Sequence, residues 1–162
     1  MISPEILRRY PFFSHFNATQ LKRLAMLAEE IQVPTGETLF KRGEPANAMY
    51  LLLEGNVELY DEAQDQFDSN IKLSFYVGNV EAGEVLGMSA AIPPYRLTAT
   101  AKTSTPCRLI RFDAKRLREE MRAECAFAAA LLVPIGQVAL ERLSTCRTLL
   151  AAEMHAPHER GT

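Results

Sequence analysis

The sequence predicts an α+β fold: a β-roll, or jelly roll of the double-stranded β-helix kind, with helices before it and a long helix after it. Three observations carry this. Short apolar runs separated by turn glycines fill the middle of the chain, at Gly36, Gly43, Gly55, Gly78 and Gly83. A capped helix precedes them and unbroken helical texture follows them. The 162 residues suit one domain, and 48% of them are hydrophobic, enough for a sizeable core. We expect that domain over residues 1–155, with N-terminal helices in 1–30, the roll in 31–112, C-terminal helices in 113–155 and a tail in 156–162.

Ile6, Leu7, Tyr10, Phe12 and Phe13 around Pro11 predict a short helix and an apolar turn. Asn17, with Gln20 three residues on, has capping-box spacing, and Phe16 and Leu21 stand where a hydrophobic staple needs them. Leu21, Leu24, Ala25 and Ala28 then recur at helical spacing. The predicted strands are 31–33, 38–40, 49–53, 57–60, 71–77, 98–101 and 107–112, a spacing typical of barrels and jelly rolls. Glu54-Gly55-Asn56 reads as a tight hairpin because glycine tolerates positive φ. The polar stretch Ala63 to Asn70 reads as an exposed hairpin loop. Asp113 is a suitable N-cap for a basic helix over 114–122. A long helix is expected from about Glu124 to Met154, kinked or restarted at Pro134.

Within that helix Leu132, Gly136, Ala139, Leu143, Cys146 and Leu150 recur in alternating steps of four and three, the a/d seam of a coiled coil. Ile135, Val138 and Leu149 widen the apolar face enough to pack on the roll as well. Such a seam either packs on its own domain alone or pairs two copies as a homodimer, in which Cys146 would face its mate near the twofold axis.

Composition excludes several functions. A net charge of −2 and a pI near 6.0 give no electrostatic reason for nucleic-acid binding. The basic cluster of Arg108, Arg111, Lys115, Arg116, Arg118 and Arg122 is interleaved with Glu119, Glu120 and Glu124, as on a solvated face. The longest unbroken apolar run, Ala126 to Val133, is shorter than the ~20 residues a bilayer span takes. The N-terminus lacks the apolar core of a signal peptide, so a cytoplasmic protein without membrane contact is expected. Three cysteines without a close pair, Cys107, Cys125 and Cys146, fit reduced thiols. His15, His155 and His158 do not cluster with them, which argues against a metal, haem or iron–sulfur site. No nucleophile motif or phosphate-loop motif is present, so no enzyme is expected.

The order of the pieces is more specific. In GETLFKRGEPANAMYLLLEGNVELY, the residues Gly36, Glu37, Leu39, Phe40, Gly43, Ala46, Tyr50, Leu52, Gly55 and Val57 match the pattern G-E-x-L-F-x-x-G-x-x-A-x-x-Y-x-L-x-x-G-x-V. This resembles the cyclic-nucleotide-binding domain of the bacterial catabolite-activator and fumarate-nitrate regulator family, whose roll is cupin-like. GEVLGMSAA, Gly83 to Ala91, resembles that family's phosphate-binding cassette, and Thr98 to Asp113 resembles the strand pair that follows.

The resemblance implies a ligand pocket at Gly87, Met88, Ser89, Ala90, Ala91, Arg96, Leu97 and Thr98. Main-chain amides of the cassette helix would face the cyclic phosphate, which needs no particular side chain. Two side-chain contacts of the family are absent. Its ribose-binding glutamate is replaced by Met88, and its phosphate-binding arginine by Leu97. Arg96 stands one residue early, which in a strand means the opposite face unless a bulge brings it back; it reads either as a solvated loop cation or as the displaced partner. Met88 reads either as a ligand contact or as a plug. Pro93-Pro94-Tyr95 reads as a stiff loop, or alternatively Tyr95 beside an open pocket stacks on a planar ligand. Hydrogen bonds to charged groups contribute ~1.5–3 kcal/mol each, so losing two would weaken a micromolar ligand to about millimolar.

The expected function is therefore a dimeric, non-catalytic sensory module for a small anionic ligand, with cyclic AMP or cyclic GMP weakened and no other cofactor. One alternative is a ligand-free interaction scaffold with a plugged pocket. Another is a regulator that lacks its DNA-binding domain, or a fragment of one.

Overall fold

The computed structural model describes residues 2–157. His158 and the rest of the expected tail lie outside the described residues.

Eight strands form two antiparallel sheets. One holds β1 (Ala28–Val33), β8 (Cys107–Asp113), β3 (Ala48–Glu54) and β6 (Val85–Leu86), in that order. The other holds β2 (Thr38–Phe40), β7 (Thr100–Thr103), β4 (Asn56–Gln64) and β5 (Lys72–Glu81). Every connection except β4–β5 passes from one sheet to the other, which is the winding of the predicted double-stranded β-helix.

This winding corrects one turn. Glu54-Gly55-Asn56 is not a hairpin, because β3 and β4 belong to different sheets. It is a corner. Gly55 has φ 104°, and a Cβ there would lie 2.5 Å from the Pro106 carbonyl oxygen and 2.7 Å from Cys107 Sγ. The one true hairpin joins β4 to β5, whose register runs from Asn56↔Glu81 to Gln64↔Lys72 around the polar loop.

Buried side chains form two clusters, and the strand period sorts residues between them. Met49, Leu51 and Leu53 of β3, with Ile110 and Phe112 of β8, face the helices. Leu52 of β3 and Cys107 and Leu109 of β8 face the interior of the roll with Val57, Val80, Leu86 and Ala101. A strand buried on both faces reads as a continuous apolar run rather than an alternation, which is why AMYLLLE is so uniformly apolar. Several boundaries differ from expectation: β4 runs on to Gln64 and β5 to Glu81, which shortens the polar hairpin loop, β7 is Thr100–Thr103 rather than 98–101, and β6 is not among the expected strands. β1 starts at Ala28 rather than Ile31, since the exposed Glu29 and Glu30 disguise its first half. β6 is only two residues long, too short to show any period.

The helices close over the first cluster. α1 (Pro4–Arg8) and a 3-10 turn (Pro11–Phe13) supply Leu7, Phe12 and Phe13. α2 (Ala18–Met26) carries the predicted capping box: the Gln20 N–H donates to Asn17 Oδ1 (2.8 Å) and the Asn17 N–H to Gln20 Oε1 (2.9 Å). Both staple residues, Phe16 and Leu21, are buried in this cluster. α3 (Ala114–Ala123) is capped by Asp113, which accepts from the Arg116 N–H at 3.0 Å.

α4 (Cys125–His155) is one 31-residue helix, continuous through Pro134 rather than restarted there. It buries Phe127, Ala130, Leu131, Pro134 and Ile135 against the domain. Leu132, Gly136, Ala139, Leu143, Cys146 and Leu150 all face outward. Leu149 was expected to pack on the roll; it is exposed, because α4 has by then run past the sheet. By length and composition alone α4 is apolar enough to cross a bilayer, although its longest unbroken apolar run is short. An outward helix-pairing seam has the same composition.

Candidate functional site

β6 delivers the chain to Gly87, and there the path changes sharply. Gly87 has φ 74° and ψ 29°, the left-handed region, and begins a 3-10 turn over Met88–Ala91. A Cβ at Gly87 would sit 2.9 Å from the Ala48 carbonyl oxygen, so glycine is required twice over, by conformation and by space. The turn points Ala90 and Ala91 into the core. The Ala90 N–H donates to the Gly87 carbonyl (3.1 Å). The amides of Met88 and Ser89 open the turn, where helical N–H groups have no internal partner, and they have no other acceptor among the described residues.

These two residues line a cavity of about 80 Å³ together with Gly87, Leu97, Thr98 and, from α4, Arg142. Five of the eight sequence-derived candidates thus converge: Gly87, Met88, Ser89, Leu97 and Thr98. Ala90 and Ala91 lie in the core beside it. Met88 is half-buried and packs against the core cluster.

Arg96 does not line this cavity. Its Nη1 donates to the Gly43 carbonyl at 3.0 Å, on the exposed side of the loop. The backbone fixes this choice. The Leu97 N–H donates to the Glu44 carbonyl (3.0 Å), and the Leu97 carbonyl accepts from the Gly43 N–H (2.8 Å). With Leu97 pinned inward and 6% exposed, its neighbour must point outward. No bulge intervenes. Tyr95 is likewise engaged elsewhere, beneath the guanidinium of Arg118.

Arg142 is the site residue that sequence reasoning missed. Its Nη2 donates to the Val85 carbonyl at 3.0 Å. Burial pushes its pKa below the ordinary arginine range, against a weaker upward pull from Glu84. A signal for it existed. Ile135 and Val138 mark the inward face of α4, and Arg142 continues that face one turn further, at the i+4 position from Val138.

Three other arginines are committed within the fold. Arg108 pairs with Glu30 and Glu54, Arg111 with Glu29, and Arg23 with Glu120 and Glu124. A concavity of about 530 Å³ along Gln32–Pro34 and Pro106–Arg108 is walled by the satisfied Arg108 ion pairs and is open to solvent. The small cavity at the Gly87 turn, with free amides and an unpaired cation, is therefore the better candidate despite its size.

The chain is similar in sequence and in fold to known proteins. The family model for the cyclic nucleotide-binding domain matches residues 30–124. A Rhodopseudomonas palustris protein described as a potassium channel is 30% identical over 128 residues, covering 79% of this chain and 29% of that protein. A CRP-like cAMP-activated global transcriptional regulator of Mycobacterium tuberculosis is 25% identical over 114 residues, covering 70% of this chain and 48% of the regulator. The chain thus spans less than half the length of these curated relatives. Among solved structures, a protein of Geobacter metallireducens GS-15 described as cyclic nucleotide-binding superposes with a TM-score of 0.77 at 36% identity, covering 88% of this chain and 99% of that one.

Proposed function

Because this chain belongs to the cyclic nucleotide-binding domain family, we propose that it is a dimeric, non-catalytic regulatory module that takes a small anion at the Gly87 turn. The carrying observation is that Met88 and Ser89, whose amides are unpartnered among the described residues, line one cavity. Successive free N–H groups are a general anion cradle. The same geometry supports weakened affinity for cyclic AMP and cyclic GMP, since Met88 offers the ribose no carboxylate and Leu97 offers the phosphate no cation. The outward seam of α4 supports a homodimer, with ligand-dependent populations of α4 as the output. A cytoplasmic site of action, without nucleic-acid or membrane contact, completes the reading.

Titration of the full chain with cyclic AMP and cyclic GMP, followed by thermal unfolding, tests it. The Mycobacterium relative is cAMP-activated, which makes cyclic AMP the first probe. A ligand at 100 times its dissociation constant should add ~2.7 kcal/mol of stability. Absence of any shift at millimolar nucleotide would favour a second reading, a scaffold with a plugged pocket. One observation supports that alternative: the 80 Å³ cavity is well below the ~300 Å³ at which small-molecule sites begin, and Met88 fills part of it.

A further inference from the structure

Arg142 stands where two concavities meet at the backbone of β6. It lines the cassette cavity with Gly87, Met88 and Ser89, and it also lines a cleft of about 360 Å³ between α4 and the Gly83–Val85 turn. Its one protein hydrogen bond is to the Val85 carbonyl. A guanidinium has five N–H donors, so most of its capacity is uncommitted. No carboxylate lies within 4.0 Å of it among the described residues. Glu84 pulls on it more weakly, from farther off, and a partly desolvated cation without a close counter-charge is unfavourable unless something supplies one. Arg23, Arg42, Arg108 and Arg111 each have that partner within the fold; Arg142 does not.

We propose that Arg142 is the anion partner of the cassette pocket, supplying from α4 the positive charge that Leu97 does not supply. This rests on the reading of the pocket as an anion site. The ligand class is a phosphate ester or phosphate itself, gripped between the guanidinium and the amides of Met88 and Ser89. Arginine suits this because its planar fork matches phosphate oxygens bidentately. The consequence is coupling. A cation on the β2–β7 side would tie the ligand only to the roll, whereas Arg142 ties it to α4. The site is complete only while α4 is docked, so an anion that binds there holds α4 in place, and by linkage α4 docking raises anion affinity equally.

The test is calorimetric titration of the full chain and of Arg142→Gln and Arg142→Lys with cyclic AMP, cyclic GMP and inorganic phosphate, with adenosine as the uncharged control. Gln retains a donor for the Val85 carbonyl, and apo thermal unfolding verifies that each variant is folded. The expected result is binding of at least one phosphate probe and not adenosine, weakened about ten- to a hundredfold in Arg142→Gln, the size of one charge-assisted pair, with Arg142→Lys between. The nucleotide and phosphate arms separate a nucleotide ligand from a free anion. In parallel, the same probe should slow hydrogen exchange of α4 amides in the parent and not in Arg142→Gln. Equal affinity of parent and Arg142→Gln would overturn the assignment of Arg142 while leaving the pocket reading intact. No binding of any phosphate probe by the parent at millimolar concentration would overturn both.

Discussion

The guanidinium carbon of Arg118 lies 4.1 Å from the centroid of the Tyr95 ring. The same guanidinium donates through Nε to the Ala90 carbonyl and through Nη2 to the Ala46 carbonyl, both at 2.8 Å. One residue of α3 thus holds the back of the cassette turn, the approach to β3 and the loop that carries Leu97. Arg118→Met keeps the apolar stem but leaves two carbonyls without their charged donor and removes the stacking. The expected loss is about 2–4 kcal/mol, read as a lower urea midpoint at unchanged denaturant slope.

Met88 lines the cassette cavity and, on the plugged-pocket reading, narrows it. Met88→Ala should lower apo stability by about 1 kcal/mol, since the side chain is only half-buried. It should also tighten cyclic AMP binding as the cavity opens. Calorimetric titration of parent and variant checks both directions; an unchanged or weaker affinity would show that Met88 is not the obstruction.

Much of this was legible in the chain. The capping box at Asn17 and Gln20, the cap at Asp113, the strands and the cassette residues are local patterns, and local patterns survive translation into structure. Three features were not legible, each because it depends on a contact distant in sequence. The Gly55 turn looks like a hairpin until Pro106 and Cys107 fill the space beside it. The choice between Arg96 and Leu97 is a one-residue register question, decided by the bonds of Leu97 to Gly43 and Glu44. Arg142 reaches the cassette only because α4 folds back across β6, and the outward seam of the same helix drew attention to its other face.

The Arg108 guanidinium bridges Glu30 (3.0 Å) and Glu54 (2.7 Å) across the ends of three strands. Its hydrogen bond and charge hold the Glu54 carboxyl below its ordinary value of 4.5. A depressed folded-state pKa contributes stability that is present above the unfolded value and is lost as pH falls through the folded one. Parent protein should therefore lose more stability than Glu54→Gln between about pH 4.5 and lower pH, while the two differ by a constant amount near neutrality. Urea midpoints from pH 7 to pH 3 check the sign. The carboxyl is exposed, so the effect is small and should shrink with added salt.

The outward face of α4 gives the last prediction. Leu132, Leu143 and Leu150 are 36%, 45% and 60% exposed, and a Cβ at Gly136 would meet nothing within 4 Å. Three large apolar residues in a/d register, with a gap at glycine for close approach, remain exposed over a third or more of their surface within their own chain. A second copy packed in parallel register would cover them and bring the two Cys146 thiols together. Cys125 and Cys146 are both exposed, whereas Cys107 is buried, so Cys125 serves as the exposed-thiol control for Cys146. Mild oxidant should yield a disulfide-linked dimer that disappears in Cys146→Ser and persists in Cys125→Ser. Leu143→Glu should shift sedimentation to the monomer with an unchanged circular dichroism spectrum, because that side chain contributes little to the fold itself. A parent chain that sediments as a monomer at tens of micromolar would rule this arrangement out.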